Sequence, residues 1–265
     1  MDPTVVAHID ERLADICRVQ NVAIPLAIES GSRAWGFPSP DSDYDCRFIF
    51  IRGIDQYLSP WQRRDVIETP LSSVFDVNGW DLGKAIKLLL KGNAVIIEWL
   101  TSPIVYGADP KFRSEFLGLA QRVANRDLIG RHYLHLGERQ RRTYFGDGKE
   151  VPQKKIFYAL RPAAALRWLR LHPEAAVAPM HFPTLLDECE PPTDVAEIVR
   201  VLIAQKMISR ELGSAPLPLA IAAFIDSEFE QARTLFEKPT PSSWTNAREQ
   251  AEAFFRSSLR QFAPS

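Results

Sequence analysis

Segments with the pattern of β-strands occur only in the first 110 residues of this chain, and helical patterns fill the rest. The strand-like runs are short and apolar, and they cover residues 22–29, 43–52, 65–68 and 73–78. Apolar positions at helical spacing cover residues 3–20, 82–91, 111–145, 153–171, 193–212, 215–233 and 243–260. The division predicts an α/β (α+β) fold, with a small mixed β-sheet in a domain at 1–110 and an all-helical domain at 111–265.

Two acidic residues begin the second strand-like run. Asp43 and Asp45 are two positions apart, so on a strand both carboxylates point to the same side of the sheet. Two adjacent carboxylates repel each other unless a cation lies between them, and Mg²⁺ or Mn²⁺ suits such oxygen ligands. An Asp-rich turn can also simply shape a solvated loop.

The first strand-like run ends in a turn at Gly31 and Ser32. Glycine lets the backbone approach a ligand closely, and the N–H groups and the hydroxyl of such a turn can bind phosphate. Arg33 follows directly, and it could clamp a triphosphate or pair with a nearby acid. Together the turn and the carboxylates indicate phosphoryl transfer with a metal ion.

A strand, a Gly-Ser turn, a spacer and D-x-D resemble the signature of the polymerase-β-like nucleotidyltransferase superfamily. The wider stretch resembles one bacterial and phage branch, the predicted nucleotidyltransferases associated with RNA repair and RNA ligase genes. The likeness spans roughly residues 25–170, and its matching segments are 31–36, 42–45, 64–68, 76–81, 91–93, 98–100 and 154–162. It implies a nucleoside triphosphate substrate and bound Mg²⁺ or Mn²⁺. It is less specific for the acceptor, for which the association with RNA repair favours RNA, with an RNA ligase partner in the same pathway.

The superfamily also places a third carboxylate on a neighbouring strand, where it binds metal and helps to deprotonate the attacking hydroxyl. By this resemblance Asp76 is the first choice for that position. Glu98 is a weaker alternative, because its apolar neighbours suggest a buried acid that needs a partner. Asp81 fits an N-cap of the following helix better than a metal ligand.

The back half contains a basic stretch. Residues 131–170 contain ten Lys or Arg and three acids, in a chain of formal net charge −1. Such a surface suits a polyanion such as a triphosphate or an RNA backbone, although ion pairs could neutralise it. Within it, Lys154, Tyr158 and Arg161 share a helix face, and by resemblance this face borders the nucleotide.

Other functional classes are excluded or disfavoured by missing motifs. The sequence has neither a P-loop nor a dinucleotide-binding G-x-G-x-x-G, and it has no G-x-S-x-G of an α/β-hydrolase. Its three cysteines have no ligand spacing, and no apolar run is long enough for a membrane span. These features favour a soluble cytoplasmic protein.

The sequence therefore predicts transfer of a nucleoside monophosphate from a nucleoside triphosphate to an acceptor hydroxyl, with an RNA end as the favoured acceptor. Two alternatives stay open. The acceptor could be a protein side chain or a small molecule, or the chain could be a nucleotide-binding module without turnover.

Overall fold

The computed structural model describes residues 1–70, 74–210, 212–236 and 244–265. The front elements are α1 (Pro3–Gln20), β1 (Val22–Ser30), α2 (Gly31–Ala34), β2 (Tyr44–Arg52), α3 (Ile54–Leu58), β3 (Val66–Glu68), β4 (Phe75–Asp81), α4 (Leu82–Leu90), α5 (Ala94–Thr101) and β5 (Val105–Ala108). The back elements are α6 (Pro110–Val123), α7 (Arg126–Tyr144), β6 (Val151–Pro152), α8 (Gln153–Leu171), α9 (Phe182–Glu188), α10 (Thr193–Ile208), β7 (Ser214–Ala215), α11 (Leu219–Phe236) and α12 (Trp244–Phe262). Among the described residues, no helix is both long and apolar enough to cross a membrane.

The five front strands form one sheet in the order β3-β4-β2-β1-β5. Strands β2 and β4 run parallel, and the other neighbours are antiparallel, so the predicted mixed sheet in an α/β fold is confirmed. The parallel pair aligns the starts of β2 and β4 at one edge of the sheet.

The alternation of side chains along β2 decides what each face of the sheet carries. Tyr44, Cys46 and Phe48 face a small core that α1 closes. The alternate residues of β2 point to the opposite face. Asp45 is the first of them, and further along the strand Ile49 belongs to the larger core on that face. The face toward the larger core is therefore polar where β2 begins and apolar further along the strand.

The larger core includes buried side chains from both halves of the chain. The rings of Phe37 and Phe157 lie 4.5 Å apart between centroids, and the ring of Phe182 is 5.6 Å from that of Phe37. Helix α8 thus packs directly behind the loop that follows α2. The division into domains at residue 110 stays a prediction.

Several predicted boundaries were wrong for local reasons. The helix expected at 111–145 is interrupted, because Ala124 is extended and the Asn125 side chain caps a new helix by accepting from the N–H of Leu128. The back half also contains the two-residue strands β6 and β7, contrary to the expectation that strands end before residue 110. Part of the predicted 73–78 strand and the start of the 243–260 helix lie outside the described residues.

Candidate functional site

The parallel pairing of β2 and β4 brings two of the predicted carboxylates together. Asp45 lies directly opposite Asp76 in the register of the two strands. Asp43 precedes β2 by one residue and is exposed, two positions before Asp45. All three predicted carboxylates therefore lie at one edge of the sheet, where β2 and β4 begin.

Arg47 joins the two paired carboxylates, and the sequence prediction missed it. Its Nη2 lies 3.1 Å from Asp45 Oδ1 and 2.8 Å from Asp76 Oδ2. The signal was available, because Arg47 lies two positions after Asp45 on the same strand face. Asn78 also donates to Asp76 Oδ1 at 2.6 Å, which fixes that carboxylate.

A fully buried acid, Glu29, lies behind Asp45. Its Oε1 accepts from the backbone N–H of Asp45 at 3.0 Å, and its Oε2 accepts from the hydroxyl of Tyr106. Burial raises the pKa of Glu29 to about 7, against the lowering effect of these hydrogen bonds. An acid near the end of an apolar strand was the sequence signal, but its contact with the candidate site was not predictable.

The charge of Asp45 is also affected by its surroundings. Burial raises the pKa of Asp45 above its usual range, and the neighbouring Asp76 and Asp43 raise it further. Arg47 acts in the opposite direction. A second cation at this edge of the sheet would therefore favour the ionised form of Asp45.

The Gly31-Ser32 turn lies against Asp45. Gly31 has a φ of +67°, and a Cβ at this position would lie 2.3 Å from Asp45 Oδ2, so only glycine fits without displacement. The hydroxyl of Ser32 donates to Ser42 Oγ at 3.0 Å. The first-turn N–H groups of α2 have no hydrogen-bond partners within the helix itself.

Arg33 holds the loop before β2. Its Nη2 donates to the carbonyl of Ser42 at 2.6 Å, and its Nε donates to the carbonyl of Asp43 at 3.2 Å. Its guanidinium carbon lies 3.8 Å from the centre of the Tyr44 ring. These contacts fix the backbone that presents Asp43, so the Arg33 side chain is already engaged.

A cavity of about 340 Å³ opens beside the carboxylates. Residues from both halves line it, among them Gly31, Ser32, Asp43, Asp45, Lys154, Lys155, Tyr158 and Lys206. The structure thus brings the predicted turn, two predicted carboxylates and two residues of the predicted basic helix to one space.

Lys206 of α10 was not predicted for this site. It is buried, its Nζ donates to the carbonyl of Phe37 at 2.8 Å, and burial together with nearby Lys154 lowers its pKa to about 8. Lys154 lies 3.4 Å from Asp41 at the rim of the cavity. The sequence carried no usable signal for Lys206, because α10 is remote from the motif along the chain.

Aromatic rings form one wall of the cavity. The rings of Trp35 and Tyr158 meet edge to face with centroids 6.1 Å apart. Lys155 Nζ lies 4.6 Å from the centre of the Tyr158 ring. The wall offers flat apolar surface beside positive charge, a combination that suits a nucleobase.

Arg161 does not line the cavity. It is 7% exposed, its Nη2 lies 3.1 Å from Glu98 Oε1, and its guanidinium carbon lies 3.9 Å from the centre of the Trp35 ring. Its charge is therefore satisfied inside the protein, and Glu98 has the partner that a buried acid requires.

Asp81 is a helix cap, as predicted. Its Oδ1 accepts from the N–H of Gly83 at 2.8 Å, and its Oδ2 accepts from the hydroxyl of Tyr57. It ends β4, at the opposite edge of the sheet from Asp76. Its position excludes it from the carboxylate cluster.

Internal ion pairs neutralise much of the predicted basic stretch. Six of its ten cations pair with acids, namely Arg141, Lys149, Lys154, Arg161, Arg167 and Arg170. The buried Glu228 alone accepts from both Arg167 and Arg170. Arg141, Arg161, Arg167 and Arg170 each pair with an acid on another helix, so part of the positive surplus in the sequence joins helices.

A family model, RlaP, described as the RNA repair pathway DNA polymerase beta family, matches residues 5–257. The chain belongs to this family. The resemblance expected from the Gly-Ser turn and the D-x-D is thereby confirmed, and the RlaP family indicates a polymerase-β-like nucleotidyltransferase.

This RlaP family member also matches a curated protein and a solved structure. The uncharacterized protein YcgL of Bacillus subtilis (strain 168) is 37% identical over 224 residues, which are 84% of this chain and 85% of the relative. The crystal structure of a nucleotidyltransferase-like protein from Exiguobacterium sibiricum 255-15 is 11% identical, with a TM-score of 0.31, and the match covers 97% of this chain and 80% of that one.

Proposed function

We propose that this chain is a Mg²⁺- or Mn²⁺-dependent nucleotidyltransferase that moves a nucleoside monophosphate from a nucleoside triphosphate to a hydroxyl of an RNA end. The observation that carries the proposal is the direct pairing of Asp45 with Asp76 beside the Gly31 turn. Membership of an RNA repair family supports RNA as the acceptor.

The donor set fits the proposed metal ion. Within the described residues, no three acidic, His or Cys side chains converge closely enough to hold a metal. Mg²⁺ does not need three, because it takes one or two carboxylates and completes its shell with water and substrate phosphates. Arg47 already bridges Asp45 and Asp76, which supports a preference of this pair for a cation. One or two of the predicted carboxylates Asp43, Asp45 and Asp76 would hold the metal, which would supply charge stabilisation for the transferred phosphoryl group.

The chain's own groups would bind the triphosphate. The N–H groups of Gly31 and Ser32 at the start of α2 would donate to its terminal phosphates. Lys154 and Lys206 lie across the cavity and would offset its negative charge. Tyr158 and Trp35 would hold the base against the aromatic wall.

In the proposed reaction the oxygen of the acceptor hydroxyl attacks the α-phosphorus. The bond between that phosphorus and the bridging oxygen of pyrophosphate breaks, and pyrophosphate leaves with its electron pair. Asp76 would accept the proton of the hydroxyl. Arg33 acts as a positioning residue, because it fixes the carbonyls of Ser42 and Asp43.

The test is incubation of the protein with each α-³²P nucleoside triphosphate and Mg²⁺, with and without total RNA. Wild type should label RNA, and Asp45→Asn should lower the rate by about 100-fold to 1000-fold, the loss that follows when one electrostatic group is removed from an active site. Asp15→Asn is the matched control, since Asp15 is an exposed acid of α1 that pairs with Arg18. Circular dichroism should show that all variants are folded.

Other results would point elsewhere. Label on protein or on a small molecule would replace the RNA acceptor with that class. Nucleotide binding without transfer to any acceptor would support a binding module instead. Equal labelling by wild type and Asp45→Asn would refute the assignment of the carboxylates. The RNA ligase partner implied by the resemblance stays a prediction.

A further inference from the structure

A second cavity lies at the opposite edge of the sheet from the carboxylates. It has a volume of about 550 Å³, and its walls are the end of β2, the loop at 59–65 and one face of α4. Arg52 ends β2 seven residues after Asp45, which corresponds to about 23 Å along the strand. This cavity is therefore separate from the candidate nucleotide site.

The second cavity is strongly positive. Five cationic residues and two acids line it, namely Arg52, Arg63, Arg64, Lys84 and Lys87 with Asp65 and Asp81. Lys84 is paired with Asp65 at 3.1 Å. Asp81 is engaged as the cap of α4. The cations of the lining still outnumber these two acids, although Glu68 outside the lining pairs with Arg64.

Two of these cations are available to a ligand. Across the described ranges, Arg63 and Lys87 make no ion pair with any acid, and both side chains are exposed. By contrast, Arg64 pairs with Glu68. Arg52 is 9% exposed and donates to the carbonyl of Arg64 at 3.2 Å, so its side chain is already used to hold the loop at 59–65.

An exposed tryptophan lies in the same loop. Trp61 lines the cavity, and 81% of its surface is accessible to water. Its backbone N–H donates to Ser59 Oγ at 3.2 Å, which shapes the loop around it. A large indole held in water next to free cations has the form of a stacking platform for a base.

We infer that this second cavity binds single-stranded RNA, with Arg63 and Lys87 on the phosphodiester backbone and Trp61 stacked on a base. The inference rests on the proposed function and deepens it, because it assigns a place for the RNA acceptor away from the transfer site. Positive grooves that carry an aromatic platform bind single strands with little sequence preference. A concave site favours a strand over a flat membrane surface.

The adjoining cavity shows where the positively charged region ends. A larger cavity of about 930 Å³ adjoins it and shares Lys87. There Glu249 and Glu252 balance Lys91 and Arg248 in the lining. The net positive charge is therefore confined to the smaller cavity, around Arg63 and Lys87.

The test is fluorescence anisotropy of a labelled, unstructured 12-nucleotide RNA with the full-length chain, without nucleotide or metal, over a range of salt concentrations. Arg63→Ala with Lys87→Ala should weaken binding about tenfold or more, and the loss of two phosphate contacts should reduce the slope of log K against log salt by about 1.4. Trp61→Ala should weaken binding by about fivefold to 100-fold with the slope unchanged.

The matched control is Arg200→Ala with Arg233→Ala, which removes the same charge from exposed positions on α10 and α11. It should leave the affinity for RNA within about twofold, since only non-specific charge is lost. Melting curves would show that each variant is folded. RNA binding that is absent in wild type, or equal in wild type and both cavity variants, would overturn the inference.

Competition separates the possible ligands. If ATP or inorganic phosphate displaced the RNA at concentrations as low as that of the RNA itself, the inference would be overturned in favour of a site for small phosphates. Cavity-dependent binding to phosphatidylserine vesicles without RNA binding would overturn it in favour of a membrane. Asp45→Asn should bind RNA like wild type. If the cavity variants lose RNA binding but wild type transfers no nucleotide, the proposed function is refuted and this inference stands. If wild type transfers label to RNA but the cavity variants bind RNA as tightly as wild type, this inference is refuted and the proposed function stands.

Discussion

The buried carboxyl group of Glu29 should make the stability of this protein depend on pH, and Glu29→Gln should remove that dependence. Glu29 is completely buried and touches the N–H of Asp45 and the hydroxyl of Tyr106. A glutamine can make both contacts, because its oxygen accepts from Asp45 and its amide donates to the Tyr106 oxygen. The substitution therefore removes the titration and keeps the packing.

The magnitude follows from the pKa of Glu29, which burial raises from 4.5 to about 7. Each pKa unit corresponds to about 1.4 kcal/mol, so ionising Glu29 in the folded protein costs about 3 kcal/mol more than in the unfolded chain. Below pH 4.5 the group is protonated in both states, and its full stabilising contribution is present. As the pH rises toward 7, only the unfolded chain loses the proton, and the free energy of unfolding falls.

The assay is urea unfolding of wild type and Glu29→Gln, followed by circular dichroism in metal-free buffer at about pH 5 and about pH 8. The variant should gain about 2.5 kcal/mol relative to wild type between these two pH values. Tyr106→Phe removes a hydrogen bond that lowers the pKa of Glu29, so its loss of stability should extend to higher pH.

An exposed acid provides the control. Glu115→Gln on α6 alters a surface pair with Lys111. Its free energy of unfolding relative to wild type should change by less than about 0.5 kcal/mol between the two pH values. If the free energy of unfolding of Glu29→Gln differed from that of wild type by the same amount at both pH values, Glu29 would not be a buried, neutral acid near pH 6. The reasoning on its place behind Asp45 would then be wrong.

Three further substitutions test particular contacts. Gly31→Ala places a Cβ 2.3 Å from Asp45 Oδ2 at a φ of +67°, so it should lower stability by about 1–2 kcal/mol and reduce nucleotide transfer. Arg161→Met removes the ion-pair partner of Glu98 and should cost about 3–5 kcal/mol in chemical denaturation, whereas adding Glu98→Gln should restore most of this. Phe37→Ala opens a cavity in the larger core and should cost about 3–5 kcal/mol in the same measurement.

Each of these has a contradicting outcome. Gly107→Ala is the control for glycine, since a Cβ there meets no atom within 4 Å, and equal effects of the two glycine variants would refute the close approach to Asp45. A stable Arg161→Met variant with weaker nucleotide binding would instead return Arg161 to the phosphate-binding role expected from the sequence. An unchanged Phe37→Ala stability would mean that α8 does not pack on this ring.

The local features of the candidate site could be predicted because each depends on a few neighbouring residues. The change of chain direction at Gly31, the position of Asp45 at the start of a strand and the cap at Asp81 follow from backbone conformation and hydrophobic patterning. The strands of the front half and the helices of the back half were likewise predictable from hydrophobic periodicity. The break at Ala124 was missed, because an interruption of two residues barely alters the helical pattern around it.

The sequence by itself determined which functional groups the candidate site can use, namely a Gly-Ser segment followed by two nearby carboxylates. Only the tertiary structure decided the partners. Strand register put Asp76 opposite Asp45 and Arg47 between them. Helix packing turned Arg161 inward to Glu98 and brought Lys206 to the cavity. Periodicity shows which side of a helix or strand is buried, but the contact between residues far apart in the chain depends on how the whole fold closes.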